Sequence, residues 1–249
     1  FNKYQEIKDV VLFERNTIRF KSSSVALHLI EKNNFNKDIL EIACKMVNEL
    51  SKHAYMPAND SILRLIISFS NLRMIFDRKD KDIKKMYISF YENARKTQYY
   101  SKNQFFWIQY ALAVMEIHDY NSAGIYLENA SSFSNARYSE DSYQVESLRA
   151  RLLLEKTVYD DDKLNAYDNF EKAHKLICSN KTPERHYPYR QVGEYVEYYE
   201  KFYNVFNDEQ KVAFMFMCRE ICKKMKEYLS SNNHYERNKR SKNKEISKI

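Results

Sequence analysis

Only two glycines, Gly124 and Gly193, and three prolines, Pro57, Pro183 and Pro188, punctuate these 249 residues. Strands joined by tight turns need residues that reach positive φ or that fix φ, and a sheet protein of this length would need many more of both. The scarcity predicts long helices separated by short polar breaks. Such breaks fall at 33–36, at 56–60, at 78–80 and near Ser101. A hydrophobic content of 44% is enough for a substantial core. No apolar run approaches the ~20 residues of a membrane-spanning helix, and the start carries no secretory signal pattern. We therefore expect a soluble, cytoplasmic chain with no membrane partner.

The predicted helices come in pairs: 24–33 with 37–54, 60–76 with 80–98, 102–118 with 121–134, 139–157 with 163–178, and 189–206 with 208–230. Asp60, Ser139 and Asn207 or Asp208 have the short polar side chains suited to helix N-caps. Pro183 and Pro188 mark the clearest linker, before the last pair. Helix 102–118 is apolar on two sides. Trp107, Tyr110, Ala111 and Val114 form one stripe, and Phe105, Ile108, Leu112 and Met115 form the other, so it should lie between neighbours.

One arrangement recurs along the chain. Trp107 is followed by Ala111, Asp119-Tyr120, then Ala123, Leu127 and Ala130. Small residues one turn from large ones let two helix axes approach closely while the large side chains fill the groove between them. Tyr91-Glu92-Asn93-Ala94, Leu127-Glu128-Asn129-Ala130 and Phe170-Glu171-Lys172-Ala173 are three copies of one short motif, 36 and 43 residues apart. The step Ala123 to Leu127 repeats as Ala166 to Phe170, whereas the first copy has Tyr87 in place of the small residue. This order resembles the tetratricopeptide repeat (TPR), whose period is ~34 residues. The resemblance implies an all-α fold, a TPR-like α-solenoid of about five helix pairs. Its packing positions here are Trp107, Ala111, Ala123, Leu127, Ala130, Ala166, Phe170 and Ala173.

Ahead of the helices, residues 10–13 and 17–20 read as two short β segments around a turn at 14–16. With Lys21, Ser22, Val25, Ala26 and Leu29, this stretch resembles the winged-helix tail that precedes the helical-repeat sensor of bacterial STAND-type NTPases. Residues 1–33 are then either a winged-helix remnant or a cap on the first repeat. Residues 34–230 form the repeat domain, and 231–249 a basic tail. A start at Phe1 rather than Met suggests a fragment, with further domains of the same polypeptide upstream.

Reaction chemistry is hard to place on this chain. Neither glycine stands near Lys-Ser or Lys-Thr, so no phosphate-cradling loop is expected. The six histidines are scattered singly, with no zinc-helix motif and no serine nucleophile elbow. Four cysteines (Cys44, Cys178, Cys218, Cys222) are too few and too irregular for a disulfide framework and read as free thiols. We expect no catalytic residues, no cofactor and no metal, and Glu194, Glu197 and Glu200 read as the wet face of a helix. The tail at 231–249 carries six Lys or Arg against two Glu, more than half of the chain's net charge of +7. Such a tail is most simply a solvated end, with nucleic-acid binding as an alternative.

Tyr195, Tyr198, Tyr199, Phe202, Tyr203 and Phe206 form a continuous aromatic stripe. It reads as core packing against Phe214, Met217 and Ile221, or as a partner-binding platform of Tyr195, Tyr198, Tyr199 and Tyr203. Concave repeat surfaces bind proteins or peptides. The resemblance to STAND sensors implies that an invading phage protein docks here and switches on an upstream NTPase and effector. The alternatives are a peptide-sensing TPR domain of a transcription regulator and nucleic-acid binding through the tail.

Overall fold

The computed structural model describes residues 11–14, 17–20, 36–54, 57–75, 81–133, 139–178, 192–224 and 226. Two strands, β1 (Val11–Glu14) and β2 (Thr17–Phe20), pair antiparallel with Val11 opposite Phe20 and Glu14 opposite Thr17. All the other regular structure described is helical: α1 (Asn36–Ser51), α2 (Pro57–Ile67), α3 (Phe69–Ile75), α4 (Lys81–Arg95), α5 (Gln98–Ser101) and α6 (Gln104–Met115). Then come α7 (Tyr120–Ser132), α8 (Ser139–Asp160), α9 (Ala166–Cys178), α10 (Val192–Phe202) with a 3-10 turn at Tyr203–Val205, and α11 over 208–224. The chain divides into two compact units, Phe1–Ala113 and Val114–Ile249. The predicted helix at 24–33, the domain boundaries near 33 and 230, and the basic tail lie outside the described residues.

In the first unit the helices are tied by buried tyrosines. Tyr91 donates its hydroxyl to the Ile67 carbonyl (2.6 Å), Tyr100 to Leu63 (3.1 Å) and Tyr87 to Leu72 (3.4 Å). Partner numbers fall as the tyrosine numbers rise, so α4 and α5 run antiparallel to α2 and α3. The α6 helix instead runs parallel to α2 and α3, because Arg64 lies 3.9 Å over the Phe105 ring and Gln109 accepts from the Phe69 amide at 2.9 Å. That second contact explains a departure from the predicted 60–76 helix, which breaks at Ser68. The break frees the Phe69 N–H, and buried Gln109 takes it. Asn71 likewise donates to the Leu65 carbonyl at 2.9 Å. A buried amide left unpaired would cost about 1–3 kcal/mol, so these side chains make the break tolerable.

The second unit repeats the alternation. Arg149 donates to Ser131 and Lys156 to Asn121, which sets α7 and α8 antiparallel. Asn169 donates to Thr157 near the end of α8, so α9 returns antiparallel to α8. Tyr198 donates to the Ala166 carbonyl (2.6 Å) and Tyr195 meets His174, so α10 runs back along α9. Contacts of α9 residues His174 and Cys178 with Glu220 and Lys224 place α11 parallel to α9. Phe170 sits at the centre of this core, with ring centroids of Phe214, Tyr195 and Tyr198 at 4.3, 4.7 and 5.3 Å.

The signature alanines Ala94, Ala111, Ala123, Ala130, Ala166 and Ala173 are all essentially inaccessible to solvent, as are Leu127 and Phe170, and Trp107 is buried. Helix α6 buries residues around most of its girth, from Phe106 to Met115, as its two apolar stripes require.

Corners are made without glycine. The α8 helix ends with Asp161 at φ 52°, its N–H directed to the Val158 carbonyl and the Asp162 N–H to Thr157. The same paired bonds run from His118 (φ 62°) to Met115 and from Asp119 to Val114. Both are Schellman closures, normally glycine positions. Start signals fare unevenly. Asn207 forms a capping box with Gln210 at 2.8 and 3.1 Å, and Asp119 caps α7 through Ser122. Asp60 is not a cap: α2 already begins at Pro57, a first-turn residue whose missing N–H costs nothing there, and Asp60 accepts from Tyr99 instead.

Tyr198→Phe should remove one buried hydrogen bond and leave the Ala166 carbonyl undersatisfied. We expect a loss of about 1–2 kcal/mol, read as a lower urea midpoint with an unchanged slope. An unchanged midpoint would show that this hydroxyl does not tie α9 to α10.

Candidate functional site

Helix α10 places its aromatic residues by position around the helix. Tyr195, Tyr198 and Phe202 recur at steps of three and four and are buried against α9 and α11. Tyr199, one position beyond Tyr198, is 44% exposed, and Tyr203 is half-buried. Their rings lie 4.6 Å apart, tilted by 35°, and flank Phe214. Of the four predicted platform residues, two therefore stand in the core and two reach the surface. Val196, three positions before Tyr199, is exposed as well.

Besides apolar contacts through Ala150 and Leu154, an ionic cluster joins α8 to α10. Arg151 lies 2.5 Å from Glu155 and 3.6 Å from Glu194, bridging the two helices. Glu194 is thus part of an interhelical cluster, whereas Glu197 and Glu200 stay exposed. One Glu194 oxygen is buried with no hydrogen-bond partner among the described residues. Burial raises the Glu194 pKa above the usual carboxylate value, with Arg151 only partly offsetting it.

A concave pocket of about 340 Å³ opens between α7 and α8, closed at one end by Asp162 and Asn169. Gly124, Ile125 and Leu152 give its apolar lining, and Asn121, Lys156 and Asp160 its polar rim. Tyr120, also in the lining, bonds His118 Nδ1 at 3.0 Å. Burial and the nearby Glu155 carboxylate push its hydroxyl up to about 12. Asp162 accepts from Asn165 through side chain and backbone, which lowers its pKa. The volume suits one side chain of a partner or a small polar molecule.

The fourth feature is a side-chain cluster that sequence reading left scattered. His174 is buried, with Nδ1 3.0 Å from the Tyr195 hydroxyl and Nε2 3.1 Å from a Glu220 oxygen. Cys178 places its sulfur 3.5 Å from Nε2. Lys224 holds the other Glu220 oxygen at 3.1 Å and donates to the Cys178 carbonyl. Hydrogen bonds from His174 and Lys224 lower the Glu220 pKa, and burial raises the Cys178 thiol. The only trace in sequence is local: His174 and Cys178 stand four apart on one helix face, while Glu220 comes from another helix.

Among the described residues no helix is long and apolar enough to cross a membrane. No family model matches the chain, and searches of curated proteins and of solved structures also find no match.

Two substitutions probe these features. A Cβ on Gly124 would meet Leu152 at 3.8 Å, an ordinary contact, and the residue lies inside a helix. Gly124→Ala should stabilise by about 0.5–1 kcal/mol in thermal denaturation while narrowing the pocket. For Glu194 the folded-state pKa is raised, so the folded chain holds its proton more tightly than the unfolded chain. Stability then falls as pH rises through the ordinary glutamate range toward the raised value. Glu194→Gln should flatten that dependence and melt no lower than the parent at pH 7. A lower melting temperature at pH 7 would mean that the Arg151 contact outweighs burial.

Proposed function

We propose that this chain is a non-catalytic recognition domain, a TPR-like stack of helix hairpins that binds a protein partner. The observation that carries the proposal is the alternation of helix directions. In the second unit, α7 to α11 reverse at every step, so that α9 and α11 run parallel. In the first unit, α2–α3 and α6 run parallel with α4 reversed between them. Buried alanines at the contacts support the same reading, since hairpins that nest closely need small residues at the crossings.

The partner surface is assigned to exposed residues of α10, with Tyr199 as the aromatic anchor and Val196 and Glu197 beside it. Tyrosine offers large contact area with a polar tip and recurs at binding hot spots. On the resemblance to STAND sensors, the partner is a phage protein, and the domain acts as the sensor of an NTPase switch on the same polypeptide. We assign the domain no reaction of its own.

Co-expression with a panel of phage proteins tests this. A complex is expected whose affinity falls about 30-fold in Tyr199→Ala, the loss typical of a 2 kcal/mol hot spot. Circular dichroism should stay unchanged, because Tyr199 is exposed. No complex across the panel would count against the sensor reading. A complex indifferent to Tyr199 would move the surface elsewhere.

A further inference from the structure

The His174, Cys178 and Glu220 side chains present one nitrogen, one sulfur and one oxygen, all within 4.8 Å of one another. We propose that these three residues bind a zinc-class divalent cation that clamps α9 to α11, independently of any recognition role.

The first argument is donor chemistry. Imidazole nitrogen, thiolate sulfur and carboxylate oxygen are the three ligand types that zinc accepts, and the mixed set disfavours the hard cations calcium and magnesium.

The second is spacing. Tetrahedral bonds of ~2.05 Å to nitrogen, ~2.3 Å to sulfur and ~2.0 Å to oxygen put nitrogen and sulfur ~3.5 Å apart, and nitrogen and oxygen ~3.3 Å apart. The observed separations from Nε2 are 3.5 Å to Cys178 Sγ and 3.1 Å to Glu220 Oε2. Both separations from Nε2 stand within a few tenths of an ångström of what the ion requires, and the sulfur and the carboxylate, within 4.8 Å of each other, close toward ~3.5 Å when it binds.

The third is outer support. A metal-binding histidine usually spends its other ring nitrogen on a hydrogen bond that fixes the tautomer. Here Nδ1 meets the buried Tyr195 hydroxyl at 3.0 Å, which leaves Nε2 as the ligand atom. Lys224 holds the Glu220 Oε1 atom, so Oε2 is the oxygen turned to the site. Two ligands come from α9, one turn apart, and the third from the parallel helix α11. The half-exposed Glu220 side chain leaves a way in for the ion, and the fourth position falls to water. Binding sends the Cys178 thiol proton to solvent, and the sulfur bonds the metal as thiolate.

Chelator-stripped protein, titrated with zinc chloride against a chromophoric competitor, should take up one equivalent and melt at a higher temperature. Cobalt(II) in its place should give the visible bands of a tetrahedral ion and a thiolate charge-transfer band in the near ultraviolet. Cys178→Ala should abolish that band, and both it and Glu220→Gln should weaken binding by at least ~10–100-fold, the range that even outer-shell partners carry. Tyr195→Phe should weaken it about 10-fold. Cys222→Ala, a change to an exposed thiol outside the cluster, should bind like the parent. If Cys178→Ala does not fold, Glu220→Gln decides the matter, because that side chain is half-exposed. No stoichiometric uptake, a cobalt spectrum without the thiolate band, or unweakened uptake in Glu220→Gln would each overturn the proposal.

Discussion

Buried phenols reaching for main-chain carbonyls hold this structure in register. Apolar packing alone lets two helices slide or rotate past one another, because dispersion and burial have no direction. A tyrosine hydroxyl in a core has few partners, and leaving it without one is costly. Tyr91 and Tyr100 in the first unit and Tyr198 in the second each select one carbonyl of the neighbouring helix. With 21 tyrosines available, the chain uses the same device in both units. The placing of Phe170 against Tyr198 goes with that register.

Much of the fold was open to reading from residues alone, for identifiable reasons. Few turn residues leave helices as the main option, and alanines spaced one turn from large residues point to close helix contacts. Six of those alanines are buried. The cap was legible as Asn207 or Asp208, and the bonds to Gln210, three residues on, settle on Asn207. What escaped was whatever depends on distant residues. The break at Ser68 is made tolerable by Gln109, forty residues on, and no local propensity announces it. Asp60 looked like a cap, but Pro57 opens the helix first. The corners at His118 and Asp161 carry no glycine, yet polar residues put predicted helix ends at 118 and 157, close to both.

The candidate sites divide along the same line. Aromatic periodicity left α10 open as a packing helix or a partner platform. Separating Tyr199 from Tyr198 requires knowing that α9 and α11 cover one side of it, which is tertiary information. The His174 cluster is the sharper case. Its third member stands 46 residues from the first, and only the parallel course of α9 and α11 brings Glu220 to the imidazole. A pair of residues one turn apart is common on any helix. The third donor is what gives the pair chemical meaning.

The left-handed corners have a consequence for how helix ends open. Asp161 and His118 occupy a conformation that costs a side-chain-bearing residue roughly 1–2 kcal/mol, and each is kept there by two amide bonds onto the preceding turn. Side chains brace the same positions: the His118 ring stacks on Tyr159 of α8 at 4.8 Å, and Asp161 pairs with Lys201 of α10 at 3.4 Å. Unwinding either helix end therefore also breaks a contact with a neighbouring helix.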